Sequence, residues 1–271
     1  VRSAPPEGIT IVVPAHNEAG LVRECLVAIR AAIARTRIPV AVVLVAHRCS
    51  DATEQIAREE LSTLTGPTEG LVLTLESGTV ATARAAGAMA GLHLLTAYGV
   101  RFESTWLMST DADSRVPKDW IDRFRRRMLR DAVAITGMVR VEGWEDDHLA
   151  VSPRISDAYH RIIAAGMHGE SHDHVYAANL AVRADAYLEV GGWPDQVPGE
   201  DAALLTALRR SGRTVVSAPE IVVSTSGRTL PRAAGGLGAL LGRLAEAYPE
   251  APTTSAKAAQ IIPRQALRLR S

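Results

Sequence analysis

Four apolar runs, at residues 9–13, 40–45, 71–75 and 106–108, begin about thirty residues apart, and helical spacing follows each of the first three. The first run, β-branched throughout, suits a strand buried on both faces and the second repeats the pattern, so helices must cover them above and below. The intervening segments can supply them. Leu21, Cys25, Leu26, Ile29 and Ile33 share one helical face, Ile56, Ala57 and Leu61 another, and residues 79–98 form an Ala-rich stretch whose small side chains allow close packing. Alternation with right-handed crossovers predicts an α/β fold, a mainly parallel sheet with helices on both faces. Pro14 is expected to end the first strand, and Asp51 with Glu54 to form a capping box on the second helix.

Beyond residue 110 the alternation loosens. The pattern predicts a strand over 134–141, and a short strand, a helix and a Gly-Gly turn within YAANLAVRADAYLEVGGWP. A helix over 202–210 opened by Glu200 and Asp201, and a hairpin-like pair at 214–217 and 221–224, come next. Glycines and leucines then interleave over 235–244, as in a helix packed on the body, a homodimer contact or a surface that touches a membrane.

Composition narrows the function. Net charge is zero with 22% charged residues, which gives no bulk attraction to nucleic acid; Arg123, Arg125, Arg126 and Arg127 read as a solvated helix face. Two cysteines, Cys25 and Cys49, are too few for a disulfide framework and are expected as thiols. No apolar run reaches the roughly 18 residues of a membrane span, and VRSAPPEG lacks a signal-peptide layout, so the expected location is cytoplasmic, with a peripheral membrane contact still open.

The chemistry concentrates in TWLMSTDADSRVPKDWI, residues 105–121, where a strand meets an Asp-Ala-Asp turn before a helix restarts near Pro117. Asp111 and Asp113 at a sheet's carboxyl edge can hold a divalent cation, although a turn whose carboxylates bond nearby amides has the same sequence. GxGxxG and GxxxxGK[ST] phosphate cradles are absent. His168, His172 and His174 with Glu170 and Asp173 are potential metal ligands at a spacing that matches no zinc motif. Trp144 and Trp193 could offer indole faces to a ligand or fill core.

ITIVVPAHNE, VLVAHRCSDAT, TVATARAAGAMAG, STDADS, ANLAVRADAYLEVGGW and GED, in that order, resemble the family 2 glycosyltransferases of GT-A fold. The resemblance implies a GT-A domain over 1–228, with a nucleotide-sugar half at 1–115 and an acceptor half at 116–228, and a helical tail at 229–271. It implies transfer of a sugar from a nucleoside-diphosphate sugar with Mg²⁺ or Mn²⁺ and inversion at the anomeric carbon. Pro14, His16, Asn17 and Glu18 would line the nucleotide, with His47 at the base. Arg84 would face the nucleotide, Asp111 ribose or metal, and Asp113 the metal. Asp201 would be the general base. Glu200, Trp144, His172, His174 and Trp193 would lie on the side of the acceptor, which could be a small molecule, a glycan or a lipid-linked hydroxyl.

One turn departs from the family pattern. Ala46-His47 stands where many relatives carry an acidic pair, and a neutral imidazole can donate or accept one hydrogen bond but lacks the carboxylate's acceptor character towards uracil N3–H, which argues against UDP and leaves GDP, ADP and dTDP sugars. A nucleotidyltransferase of the same fold class is disfavoured by the missing triphosphate loop. A degenerate sugar- or nucleotide-binding protein is the other alternative.

Overall fold

β1 (Gly8–Ala15), β2 (Val40–His47), β3 (Thr68–Leu75) and β4 (Thr105–Ser109) pair in parallel in the order β3-β2-β1-β4. The computed structural model describes residues 5–129, 131–142, 153–196, 198–227 and 236–247. α1 (Val22–Ile33), α2 (Thr53–Leu61) and α3 (Val80–Ala97) make the crossovers. Alternate strand residues separate the two faces. Ile9, Ile11, Val13, Val42 and Leu44 pack with α1 and α4 (Trp120–Met128), whereas Val12 packs on α3 together with α6 (Ala184–Glu189) and α7 (Glu200–Arg210). Trp120, Ile121, Phe124 and Met128 are buried on one face of α4, and burial of each such side chain is worth about 1.5–3 kcal/mol. The opposite face carries the arginines, where Arg123 pairs with Asp119 and Arg127 with Glu220, in keeping with a solvated helix face.

The second half turns the sheet. β9 (Leu180–Arg183) runs antiparallel between β4 and β6 (Ala134–Glu142), then β10 (Val215–Ser226) lies parallel to β6, and β5 (Ser114–Arg115) closes the edge antiparallel to β10. α5 (Pro153–Ala165) precedes a small ribbon of β7 (Met167–His168) and β8 (Ser171–His172), turned at Gly169 with φ +64°. α8 (Gly236–Ala247) packs on α5 with Leu241 buried, and residues 248–271 lie outside the described residues. No helix among the described residues is long and apolar enough to cross a membrane. Both cysteines are free thiols.

Three local expectations are corrected. Pro14 lies inside β1, opposite Val45, because the ladder to β4 ends at Val12–Ser109 and the missing N–H interrupts no bond on that side. Residues 214–224 are no hairpin: both runs belong to β10 and pair with β6, with a register shift between Ala218 and Val222 around Pro219. No capping box joins Asp51 and Glu54; Asp51 accepts from the Thr53 and Ala19 N–H groups at 3.0 Å, and Glu54 pairs with Arg58 one turn on. The box forms on α3 instead, between Thr79 and Thr82.

Candidate active site

Parallel register brings the carboxyl ends of β1, β2 and β4 to one sheet edge, so the turns that follow them converge there. Because β9 is antiparallel to β4, the 3₁₀ turn before it (Ala177–Asn179) arrives at the same edge. The first turn of α7 joins it, since the Ala177 N–H donates to Asp201 Oδ2 at 3.1 Å.

The β1–α1 and β2–α2 turns are stitched together. Asn17, at φ 54°, accepts from the Ser50 N–H at 2.8 Å, and the Glu18 N–H donates to Thr53 Oγ1 at 2.7 Å. Glu18 is buried, and its carbonyl starts α1 by accepting from the Leu21 and Val22 N–H groups. His16 donates Nδ1–H to the His47 carbonyl at 2.8 Å, and His47 donates Nε2–H to the Gly78 carbonyl at 3.1 Å. Burial lowers the His47 pKa, so the ring is neutral near pH 7 and its Nδ1 is an acceptor.

Arg84 is 5% exposed and lies at the centre of the edge. Its Nη1 donates to Glu200 Oε1 at 2.5 Å, its Nη2 donates to Asp111 Oδ1 at 2.8 Å, and its Cζ lies over the Trp193 ring, 5.5 Å from the centroid. Burial raises the Asp111 carboxyl above its ordinary value; the Arg84 charge opposes the shift and Asp113 adds to it. Asp113 is oriented by hydroxyls: Thr225 Oγ1 donates to its Oδ1 at 3.2 Å, and Ser114 Oγ lies 2.9 Å from Thr225 Oγ1. Asp201 Oδ1 accepts from the Ala202 N–H at 2.8 Å, which with Ala177 anchors both of its oxygens.

This edge brings the carboxylates of Asp111 and Glu200 to the Arg84 guanidinium, with Asp113 two residues on from Asp111. Hard carboxylate oxygens two residues apart at a locally anionic turn fit Mg²⁺ or Mn²⁺, which are content with one or two carboxylates when substrate oxygens and water complete the shell. Among the described residues no group of three or more His, Cys, Asp or Glu side chains could hold a metal by itself.

Of the residues expected on the acceptor side, two lie at Arg84 and the histidines lie away from it. Glu200 is turned to Arg84, and Trp193 covers the same guanidinium while lining a small apolar cavity with Val12, Leu107, Tyr187 and Leu204. His172, expected towards the acceptor, is turned inward: it is 6% exposed and donates Nε2–H to the Thr136 carbonyl at 3.2 Å. His174 donates Nε2–H to the Ile163 carbonyl at 2.9 Å and stacks on Tyr176. Pro14 is buried in β1. Trp144 lies outside the described residues.

Sequence reasoning passed over Asn179 and Thr225. Asn179 Nδ2 donates to the Met138 and Ile221 carbonyls at 2.8 and 2.9 Å, and its Oδ1 accepts from Trp120 Nε1 at 2.9 Å. Gly137 exists in its shadow, since a Cβ there would sit 2.2 Å from Asn179 Nδ2. The ANLAVR string contained Asn179, but no local signal reports an amide that bridges distant strands.

A family model described as "Glycosyltransferase like family 2" matches residues 5–241. No curated protein matches the sequence. Among solved structures, the chain is similar to the mannosyltransferase PcManGT from Pyrobaculum calidifontis in complex with GDP-Man and Mn²⁺, with a TM-score of 0.59 and 19% identity over 85% of this chain and 59% of that one. S. aureus TarS 1-349 in complex with UDP-GlcNAc gives a TM-score of 0.57 and 12% identity over 82% and 59%. GalNAc-T7 with UDP, GalNAc and Mn²⁺ gives 0.57 and 14% over 89% and 48%. The chain therefore spans less than two thirds of each, and at these identities the likeness speaks for a shared fold, GT-A.

Proposed function

Because the chain belongs to glycosyltransferase family 2, we propose that it moves a sugar, of hexosyl type, from a nucleoside-diphosphate sugar to an acceptor hydroxyl with inversion. The observation that carries this reading is the chain of contacts from Asp111 through Arg84 to Glu200, whose neighbour is Asp201: a cation-type carboxylate turn and a base-type carboxylate lie in one cluster.

Asp201 takes the acceptor's hydroxyl proton as that oxygen attacks the anomeric carbon. The new C–O bond forms on the face opposite the diphosphate, which leaves with the electron pair of the bond that breaks. Two backbone N–H groups hold the Asp201 carboxylate in place, so little reorientation is needed. Asp111 and Asp113 would hold Mg²⁺ or Mn²⁺, which when bound neutralises charge on the departing diphosphate. Asn17, His16 and His47 form the turn that faces the base. The neutral His47 ring offers one acceptor, at Nδ1, in place of the carboxylate that many relatives carry there.

Thermal unfolding with UDP, GDP, ADP, CDP and dTDP, each with and without Mn²⁺, tests the reading. Saturation at about 100 times Kd stabilises a native state by about 2.7 kcal/mol, a readily measured rise in midpoint. The expected result is one or two diphosphates that stabilise only with Mn²⁺. A folded protein that none of them stabilises would favour the degenerate scaffold.

A further inference from the structure

We propose that Arg84 is a positioning residue that locks the carboxylate turn at Asp111 to the helix that carries Asp201, and that it is not a ligand of the donor's phosphates. The inference rests on the transferase reading for the role of Asp111. Three observations carry it. The guanidinium is 5% exposed, its two terminal nitrogens bond different carboxylates, and its Cζ lies over the Trp193 ring. Glu200 is itself buried, so moving Arg84 to a phosphate would strand a carboxylate in the interior, a penalty worth upwards of about a hundredfold in binding. Asp201 follows Glu200 directly in the first turn of α7, so the Arg84–Glu200 bond sets where the candidate base stands.

The surrounding loop is built to hold this arrangement. Gly191 and Gly192 take φ +85° and +76°, and a Cβ on Gly192 would meet the Tyr187 hydroxyl at 2.8 Å. That hydroxyl accepts from the Trp193 N–H, and Thr79 Oγ1 donates to Asp195 Oδ1 at 2.8 Å, tying the loop to the start of α3. A lysine would not reproduce these contacts, because a point ammonium lacks the planar fork that sets two separate terminal nitrogens on two carboxylates.

The test is calorimetric titration of the full chain with Mn²⁺·GDP and Mn²⁺·UDP in wild type, Arg84→Lys, Arg84→Met, Glu200→Ala and the Arg84→Met/Glu200→Ala double variant. A lock predicts that every single variant weakens Mn²⁺-dependent diphosphate binding by about 10- to 100-fold, the usual effect of removing a partner behind a metal ligand. The double variant should bind no worse than the weaker single one. The proposal is overturned if Glu200→Ala binds as wild type or tighter while Arg84→Met loses binding and Arg84→Lys keeps it, which is the behaviour of a phosphate ligand. Should Arg84→Met fail to fold, Arg84→Lys and Glu200→Gln make the same comparison. If wild type binds neither complex and none of the five diphosphates stabilises it with Mn²⁺ in the unfolding screen, the transferase reading fails, and urea unfolding decides the lock. A double-variant midpoint no lower than the worse single variant supports it, and strictly additive losses refute it.

Discussion

Replacing Asn179 should be among the most damaging single changes in this chain. The residue is fully buried, and its amide serves three groups: the Trp120 indole N–H on α4, the Met138 carbonyl on β6 and the Ile221 carbonyl at the register shift of β10. Each buried polar group left without a partner costs about 1–3 kcal/mol. Asn179→Leu orphans all three and fills the space with an apolar group that keeps water out, so we expect a loss of about 3–6 kcal/mol. Asn179→Ala leaves room for a bridging water and should lose less, about 2–4 kcal/mol. Urea unfolding monitored by circular dichroism measures both. Adding Trp120→Phe to Asn179→Leu removes the orphaned donor, so the double variant should cost less than the sum of the singles by about 1 kcal/mol or more. An Asn179→Leu protein within 1 kcal/mol of wild type, or more stable than Asn179→Ala, would refute the reasoning on hydrogen-bond satisfaction. The same change reaches the active edge, because the 3₁₀ turn that ends in Asn179 begins with Ala177, whose N–H anchors Asp201.

Other predictions bear on packing, pH and chemistry. Gly91→Ala on α3 gains about 1 kcal/mol of helix propensity, but its Cβ would sit 2.1 Å from Cγ2 of the buried, β-branched Thr10, so a net loss of about 1–2 kcal/mol is expected in urea unfolding. Gly20→Ala, with nothing within 4 Å, should be neutral or slightly stabilising in the same assay. Burial lowers the His172 pKa below that of the unfolded chain, so below about pH 6.5 the unfolded state binds the extra proton and stability falls as pH drops. Urea midpoints at pH 7.5 and pH 5.5 should show that decline, and His172→Phe should reduce it to the share of His47, whose pKa burial also lowers. Asp173, held low by its hydrogen bond with His168, acts in a separate window near and below the ordinary carboxylate pKa. Asp201→Asn should keep Mn²⁺-dependent diphosphate binding and lose transfer by at least about a hundredfold, as expected when a general base is removed; retained transfer would remove Asp201 from that role.

The elements were legible because their signals are local, and the errors mark where a distant partner decides. β1, β2 and α3 follow from apolar runs and small-residue spacing, and the structure sets each within a few residues of its expected place. Pro14 reads as a strand end until the partner strand β4 is known to stop first, at Ser109. The runs at 214–217 and 221–224 read as a hairpin-like pair until β6 is seen to run beside both of them, with Asn179 taking up the Ile221 carbonyl. The candidate site divides the same way. Asp111 and Asp113 are legible as a pair because a strand-end turn is encoded within a few residues, and the Glu200-Asp201 pair because it opens a helix. What joins the pairs is not local: Arg84 is 27 residues from Asp111 and 116 from Glu200, and Thr225 is 112 from Asp113. Taken singly, Arg84 has the sequence signature of a surface helix arginine or a phosphate ligand. Only the sheet order, which sets the turn after β4 beside the first turn of α7 with α3 packed behind β1, makes it the bond between the two carboxylate pairs. Coupling of this kind belongs to the topology, so an unchanged Asp111, Asp113 and Asp201 set would be insufficient for transfer in a variant whose Arg84 could no longer reach both sides.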